Sequence, residues 1–221
     1  MRRFEFIVDR AHSKAVNEAI ADVRRVGVTA VVVAAVLGLV SAWLIVRDRP
    51  WAYILAAVVI LAAATALWVA LWAPRRISNI EKLYAQGILV PTIVADVRKR
   101  GLTLLALIDV SKPRTAPQYA LVARNVRHLP GHSVRQGERV PAVAVLGDKA
   151  GRASGDTWHV TTAMPLAWGT RDQDTIVAAV AAISDAEWGL LNSRAPLCAR
   201  VRKAENQRLF LDHDDLPEEL R

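Results

Sequence analysis

Residues 26–46 (VGVTAVVVAAVLGLVSAWLIV) and residues 51–73 (WAYILAAVVILAAATALWVALWA) are separated only by the four residues RDRP, and this pair of stretches decides the fold. Neither stretch contains an Asp, Glu, Lys, Arg or His residue. As helices, both would be roughly 30 Å long, which is the hydrocarbon thickness of a bilayer. Amphipathic helices of soluble proteins are not apolar over so many residues. The sequence therefore predicts a hairpin of two transmembrane helices.

The positive charges flank the hairpin mainly on its outer sides. The turn carries Arg47 and Arg49, with Asp48 between them. The two outer flanks carry more basic residues, namely Arg2, Arg3, Arg10, Lys14, Arg24, Arg25, Arg75, Arg76 and Lys82. Segments rich in Lys and Arg remain in the cytoplasm. We therefore predict a multi-pass protein of the bacterial inner (plasma) membrane with both termini in the cytoplasm.

Small residues recur at every fourth position of both predicted spans. They are Ala30, Ala34, Gly38, Ala42, Ala62, Ala66 and Ala70. Such stripes let helix backbones approach closely in lipid. They can pack the two helices on each other or join several copies of the chain. Two helices offer more small-residue surface than one mutual contact needs, so we expect a homo-oligomer. The absence of ionisable residues in the spans argues against a channel or transporter.

The segments on either side of the hairpin have helical patterns. Residues 1–25 predict an amphipathic cytoplasmic helix that runs unbroken from Asp9 into the first span. It could lie on the inner leaflet or pack on the cytoplasmic domain or a sister subunit, and its alanine-rich apolar face favours packing. His12 is expected to be a solvated residue of this helix. Residues 74–87 predict a cytoplasmic extension of the second helix, which ends at Gly87.

After Gly87 the pattern changes to short runs rich in β-branched residues, separated by glycine-containing turns. Such runs predict strands at residues 88–97, 102–110, 118–129, 139–147 and 157–168. About five short strands over residues 88–170 predict a small antiparallel β-barrel or a strongly curled sheet, OB-like or SH3-like. The predicted fold class is α+β, a transmembrane hairpin followed by a cytoplasmic barrel.

The C-terminal part of the chain is predicted to cover the barrel. Residues 171–207 are predicted to be helical, with Asp172 or Asp174 as the N-cap of a helix that extends to about Leu191. Residues 208–221 form an acidic tail that begins with RLFLD, a sequence compatible with a final strand.

The chain offers no catalytic, cofactor or metal motif. His128 and His132 lie in a Pro-Gly loop without a neighbouring Cys or carboxylate, so metal binding is not expected there. His159 follows Trp158 in a predicted strand, and Cys198 is not in a nucleophile motif. We therefore expect a non-enzymatic protein without a cofactor.

Basic residues are the strongest functional pattern. The net charge is +8, and residues 88–170 contain eleven basic side chains against five acidic ones. The candidate contacts to anionic lipid or a phosphate-bearing ligand are Arg75, Arg76, Arg98, Arg100, Arg124 and Arg127. Nucleic acid is the less favoured ligand, because Tyr119, Trp158 and Trp168 are expected to pack in the core and not to stack bases.

The sequence GILVPTIVADV…LLALIDV…GERVPAVAV…PLAWGT, within residues 87–193, resembles a family of corynebacterial and mycobacterial membrane proteins that lacks a catalytic motif. This resemblance implies an actinobacterial source and a place in envelope lipid biology. The architecture also resembles the NfeD-like membrane proteins, whose soluble part is an OB-type barrel.

Together these features favour an oligomeric membrane scaffold or regulatory protein whose barrel binds a partner, with cell-envelope lipid or glycolipid biosynthesis as the implied context. The alternative is a tethered barrel that binds an anionic lipid or phosphate-bearing ligand. A nucleic-acid-binding protein or an enzyme is less favoured.

Overall fold

The computed structural model describes residues 3–77, 80–148 and 155–220, and the side chains of these residues except 19–20 and 73–81. The chain divides into two compact units. One is the hairpin unit, residues 17–80, and the other is the globular unit, residues 3–16 together with 81–220.

The hairpin unit consists of two long antiparallel helices, α2 (Glu18–Val46) and α3 (Pro50–Ile77). Their apolar spans cover Ala21–Val46 and Pro50–Trp72, and only 11% of each span is buried inside the structure. Such exposed apolar helices are suited to lipid and not to water, so the predicted hairpin is confirmed. The turn contains Asp48 at φ 46°, and its carboxylate accepts a hydrogen bond from the Tyr53 hydroxyl at 2.6 Å.

The N-terminal part differs from the predicted unbroken helix. Residues 3–9 are not helical, α1 spans Arg10–Val16, and Asn17 separates α1 from α2. The Asn17 carbonyl accepts the first hydrogen bond of α2, from the Ala21 N–H at 3.1 Å. Asparagine is a favoured N-cap, so Asn17 starts a new helix where helical periodicity alone predicted continuity.

The globular unit contains a six-stranded antiparallel sheet in the order β5-β4-β1-β2-β3-β6. A short helix, α4 (Ile80–Gln86), precedes it. The strands are β1 (Ile88–Arg98), β2 (Gly101–Asp109), β3 (Tyr119–Val126), β4 (Arg139–Gly147), β5 (Val160–Pro165) and β6 (Arg208–Phe210). The predicted α+β class with an antiparallel curled sheet is confirmed.

Both faces of the central strands are buried. The inner, concave face is a core of nine residues, Val90, Ala106, Ile108, Val110, Ala120, Val122, Ala142, Ala144 and Ala163. Five of these nine are alanines, and such small side chains let the sheet curl tightly. The outer face is covered by three C-terminal helices, α5 (Gln173–Ala181), α6 (Asp185–Ser193) and α7 (Cys198–Lys203).

The sheet is a half-barrel whose edge strands β5 and β6 are not paired with each other. At the end of β2, the chain pairs with the segment before β5: the Lys112 N–H donates to the Asp156 carbonyl at 2.7 Å, and the Trp158 N–H donates to the Val110 carbonyl at 2.9 Å. Of the two predicted alternatives, a barrel or a strongly curled sheet, the structure has the curled sheet, because β6 has only three residues, too few to continue the ladder around a closed barrel. The OB-like or SH3-like assignment stays a prediction.

The C-terminal helix predicted from Asp172 to Leu191 is divided in two. Asp172 is the N-cap of α5 and accepts from the Asp174 N–H at 3.2 Å. A second start follows at Ser184, whose hydroxyl accepts from the Glu187 N–H while the Glu187 carboxylate accepts from the Ser184 N–H. This capping box ends the continuity of the helix and begins α6.

Candidate anionic-ligand site

Basic side chains converge at one end of the sheet, at the turn between β1 and β2. Arg98, Lys99 and Arg100 form this turn and are exposed. The pairing of Leu102 with Val126 places Arg127, the residue after β3, beside the turn. Arg202 of α7 joins the group through Asp96, as described below. We call Arg98, Lys99, Arg100, Arg127 and Arg202 the basic end.

Asp96 is the internal counter-anion of the basic end. Its Oδ2 lies 3.6 Å from Arg98 Nε and 3.6 Å from Arg202 Nη1. Arg98 Nη2 also donates to Thr103 Oγ1 and Asn125 Oδ1, which fixes its guanidinium. Lys99 and Arg100 have no hydrogen bond or ion pair within the part of the chain that the structure describes. Their charges are therefore available to an anion from solution.

The backbone of this turn depends on glycine. Gly101 has φ +122°, which side chains of L-amino acids rarely adopt. A Cβ at this position would also lie 2.4 Å from the Val126 carbonyl oxygen. The same Cβ would lie 3.2 Å from Arg127 Cα, so Gly101, which pairs with Arg98, packs directly against the end of β3 and has Arg127 beside it.

The other predicted basic contacts are placed differently. Arg124 is half-buried, and its Nη1 donates to Thr162 Oγ1 at 3.2 Å and to the Ala163 carbonyl at 2.6 Å in β5. Its guanidinium lies 4.8 Å from the ring centroid of Trp168. Arg124 therefore joins β3 to β5 across the open sheet and is not part of the basic end. The side chains of Arg75 and Arg76 lie outside the described part of the structure.

A second arginine also bridges the gap between the two edges of the sheet. Arg208 Nη1, from β6, donates to the Trp158 carbonyl at 2.6 Å, just before β5. The Arg208 guanidinium packs on Phe210, 4.6 Å from its ring centroid. We call Arg124 and Arg208 the seam arginines, because they bridge strands that main-chain bonds leave unpaired.

The histidines have structural partners. His12 was expected to be solvated, but it is buried. Both of its ring nitrogens have partners: Arg171 Nε donates to His12 Nδ1 at 3.0 Å, and His12 Nε2 donates to the Ala167 carbonyl at 2.9 Å. His159 Nδ1 lies 3.0 Å from the Asp148 carboxylate, and the same carboxylate forms an ion pair with Lys112 at 3.0 Å. Within the described ranges, no three His, Cys, Asp or Glu residues are grouped as metal ligands.

Glu138 organises the loop that contains His132. Its carboxylate accepts from His132 Nδ1 at 2.9 Å, from the Ser133 N–H at 2.9 Å and from the Ser133 hydroxyl at 2.6 Å. Burial alone would raise the pKa of Glu138, but these bonds and one from the Arg135 N–H lower it to about 2. The serine donates to the glutamate and not to the histidine, so this group is a loop anchor and not a nucleophile.

We expect Glu138→Gln to destabilise the globular unit by about 2–3 kcal/mol near neutral pH, since the folded state then loses an ionised acceptor. A carboxylate with a lowered pKa stabilises the fold above its ordinary pKa of 4.5 and loses this effect as the pH falls towards 2. Calorimetric unfolding of the full-length protein in detergent should therefore show a large difference between variant and parent near pH 7 and almost none near pH 2. Glu218→Gln, at an exposed residue, is the control, and a pH-independent difference would contradict this account.

The small residues of the hairpin unit fall into two groups. Ala70 is buried, and Ala30, Ala34 and Ala66 are half-buried in the α2–α3 contact. Gly38, Ala42 and Ala62 are exposed on the outer surface of the helices. The contact also uses residues outside the predicted stripe, namely Gly27, Ser41, Leu44, Ala52 and Ala56.

Comparison with known proteins assigns the family. The pattern of DUF3239, a family described as proteins of unknown function, matches residues 75–198, more than half of the chain. The chain belongs to the DUF3239 family. The match begins near the end of α3, includes β1 to β5, α5 and α6, and ends at the first residue of α7. The basic turn lies within the DUF3239 match, whereas Arg202 lies beyond it.

A crystal structure supports the fold of the DUF3239 part. It is that of a protein of Corynebacterium diphtheriae described as a candidate membrane protein, with 33% sequence identity and a TM-score of 0.52. The similarity covers 56% of this chain and 99% of that chain. The resemblance to a corynebacterial membrane protein is thus confirmed, whereas the wider actinobacterial family and the likeness to NfeD-like proteins stay predictions. A search of curated proteins finds no match.

Proposed function

We propose that this protein is a non-enzymatic, homo-oligomeric scaffold or regulatory protein of the bacterial inner membrane. Its globular unit faces the cytoplasm and recruits an acidic protein partner at the basic end. The resemblance to actinobacterial membrane proteins suggests an enzyme of envelope lipid or glycolipid biosynthesis as that partner. The excess of Lys and Arg outside the turn of the hairpin supports the cytoplasmic orientation.

The observation that carries this proposal is the convergence of five basic side chains, two of them without a partner in the described structure. A patch of one charge attracts partners of the opposite charge and accelerates their association. The basic end lies at the far end of the 11-residue strand β1, up to about 33 Å from Ile88, where the chain enters the sheet.

The second candidate is an anionic lipid or phosphate-bearing headgroup. The observation in its favour is Val97, which is 48% exposed beside Arg98. An exposed apolar residue next to basic ones is typical of surfaces that contact anionic membranes. Nucleic acid is the less favoured ligand: Trp168 is buried as expected, and Tyr119 and Trp158, which were also expected to pack in the core, are half-buried and offer no fully exposed ring for base stacking.

We expect Lys99→Glu combined with Arg100→Glu to weaken binding of a poly-glutamate peptide by about tenfold or more, and to reduce its salt dependence. The measurement uses full-length protein in nanodiscs of neutral lipid, with fluorescence anisotropy of the labelled peptide. Arg114→Glu is the matched control, since Arg114 is exposed and lies after the opposite end of β2. Its affinity should stay within about twofold of the parent.

Asp96→Asn provides a test in the opposite direction. Removing the internal counter-anion frees Arg98 and Arg202, so the affinity for the acidic peptide should rise about two- to fivefold. A parent protein that does not bind the peptide would contradict the proposed partner. Binding of phosphatidylglycerol vesicles, lost in the Lys99 and Arg100 double variant, would then support the second candidate.

A further inference from the structure

Residues 3–8 (RFEFIV) form an extended segment on the surface of the globular unit. The odd-numbered residues are exposed and the even-numbered ones are half-buried, which is the period-two pattern of a β-strand. Ile7 is 92% exposed. A large apolar side chain held so far into solvent is unusual beside a packed surface.

The segment is fixed in place from its inner face. The Phe6 ring meets the Tyr84 ring edge-on at 5.3 Å, and a Cβ on Gly169 would lie 3.0 Å from Phe6. The Asp9 N–H donates to the Gly169 carbonyl at 2.8 Å. The segment is therefore ordered in advance, so a partner strand would bind without first paying for its ordering.

Its main chain is unpaired. Within the ranges that the structure describes, residues 3–8 make no hydrogen bond. A groove of about 370 Å³ lies beside the segment, lined by residues 4–8 with Tyr84 and Ala85. An extended segment with free N–H and carbonyl groups next to a groove is a template for the addition of a strand.

We propose that this segment pairs with the same segment of a second copy of the chain, antiparallel, with Phe4 opposite Phe4 of the second copy. This register places Arg3 of each copy opposite Glu5 of the other, which gives two complementary charge pairs. A register shifted by two residues in one direction places Glu5 opposite Glu5, and in the other direction it places Arg3 opposite Arg3, so both shifts oppose like charges. The inference rests on the homo-oligomer of the proposed function and gives it an interface.

Cysteine cross-linking tests the register. Directly opposed residues of an antiparallel pair have Cα atoms about 4.5–5.5 Å apart, which suits a disulfide. Full-length Phe4→Cys in nanodiscs should therefore form a dimer under mild oxidant, seen on non-reducing gels. Ile7→Cys is the matched control: it is more exposed, but the register separates the two copies by roughly 20 Å, so it should remain monomeric on the gel. Equal cross-linking of both variants, or of neither, overturns the register.

Charge exchange tests the same interface without a new thiol. Arg3→Glu alone and Glu5→Arg alone should each reduce the oligomer fraction in mass photometry by about fivefold, and the double exchange should restore it. Oligomers that are unaffected by the single exchanges would overturn the strand pairing and leave the oligomeric scaffold intact. A parent protein that is monomeric in nanodiscs would overturn both.

Discussion

Gly87→Ala should destabilise the globular unit by at least about 3 kcal/mol. Gly87 ends α4, where its N–H donates to the Leu83 carbonyl at 3.1 Å. A Cβ there would lie 1.8 Å from Val143 Cγ1 and 3.0 Å from the Ala144 and Leu83 carbonyl oxygens. Two of these three atoms belong to the backbone, so the clash cannot be relieved by side-chain rotation alone.

The chain contains its own reporter for this measurement. Cys198 is its only cysteine and is buried, so reaction with a thiol-specific dye on heating reports the unfolding of the globular unit. A loss of 3 kcal/mol corresponds to a midpoint roughly 6–12 °C lower. Combining Gly87→Ala with Val143→Ala removes the 1.8 Å contact and should recover part of the loss.

Gly189→Ala is the matched control for this substitution. Gly189 lies in α6, and a Cβ there meets no atom within 4 Å. Alanine has the higher helix propensity, so this variant should be neutral or about 1 kcal/mol more stable. Equal midpoints for Gly87→Ala and the parent protein would contradict the close packing between α4 and β4.

Arg124→Met should cost about 3 kcal/mol, because it removes the charged donor from the Ala163 carbonyl and the cation from the face of Trp168. Methionine keeps much of the side-chain volume, so the loss reports the polar bridge more than the packing. Arg124→Lys keeps the charge but not the planar guanidinium, so its stability should lie between that of the parent protein and that of Arg124→Met. The same thiol-reactivity assay measures all three proteins.

Arg100→Met is the control for Arg124→Met, since Arg100 is exposed and has no bond within the described residues. It should unfold within about 1 °C of the parent protein. A midpoint for Arg124→Met equal to that of the Arg100 variant would show that the bridge between β3 and β5 contributes nothing to stability.

Much of the fold could be predicted from the sequence, because its strongest patterns are local. Two uncharged stretches separated by four residues define the hairpin, and runs rich in β-branched residues between turn glycines predict five of the strands. The breaks at Asn17 and Ser184 could not be predicted from periodicity, since each interrupts a helix for only a few residues. The sequence could not distinguish a half-barrel from a closed barrel, because the contacts between the two sheet edges come from Arg124 and Arg208, whose partners are distant in sequence.

The candidate site was partly predictable for the same reason. Arg98 and Arg100 both lie in the three residues before the turn glycine, so a hairpin turn places them together, and the β2–β3 register adds Arg127. Arg124 lies only three residues earlier but inside β3, where its side chain reaches β5. Arg202 was missed because it joins Asp96 from a helix about one hundred residues later, and no local pattern links the two.

The hydrogen bonds between the N-terminal segment and the 167–171 region have a topological consequence. Residues 3–16 belong to the same unit as residues 81–220, so the hairpin is an insertion within one domain and not an anchor at its end. If the chain leaves a folded domain, crosses the bilayer twice and then completes the same domain, the parts of the domain before and after the hairpin must lie in one compartment. Reporters fused to the two termini should therefore always give the same compartment, whatever charges flank the spans.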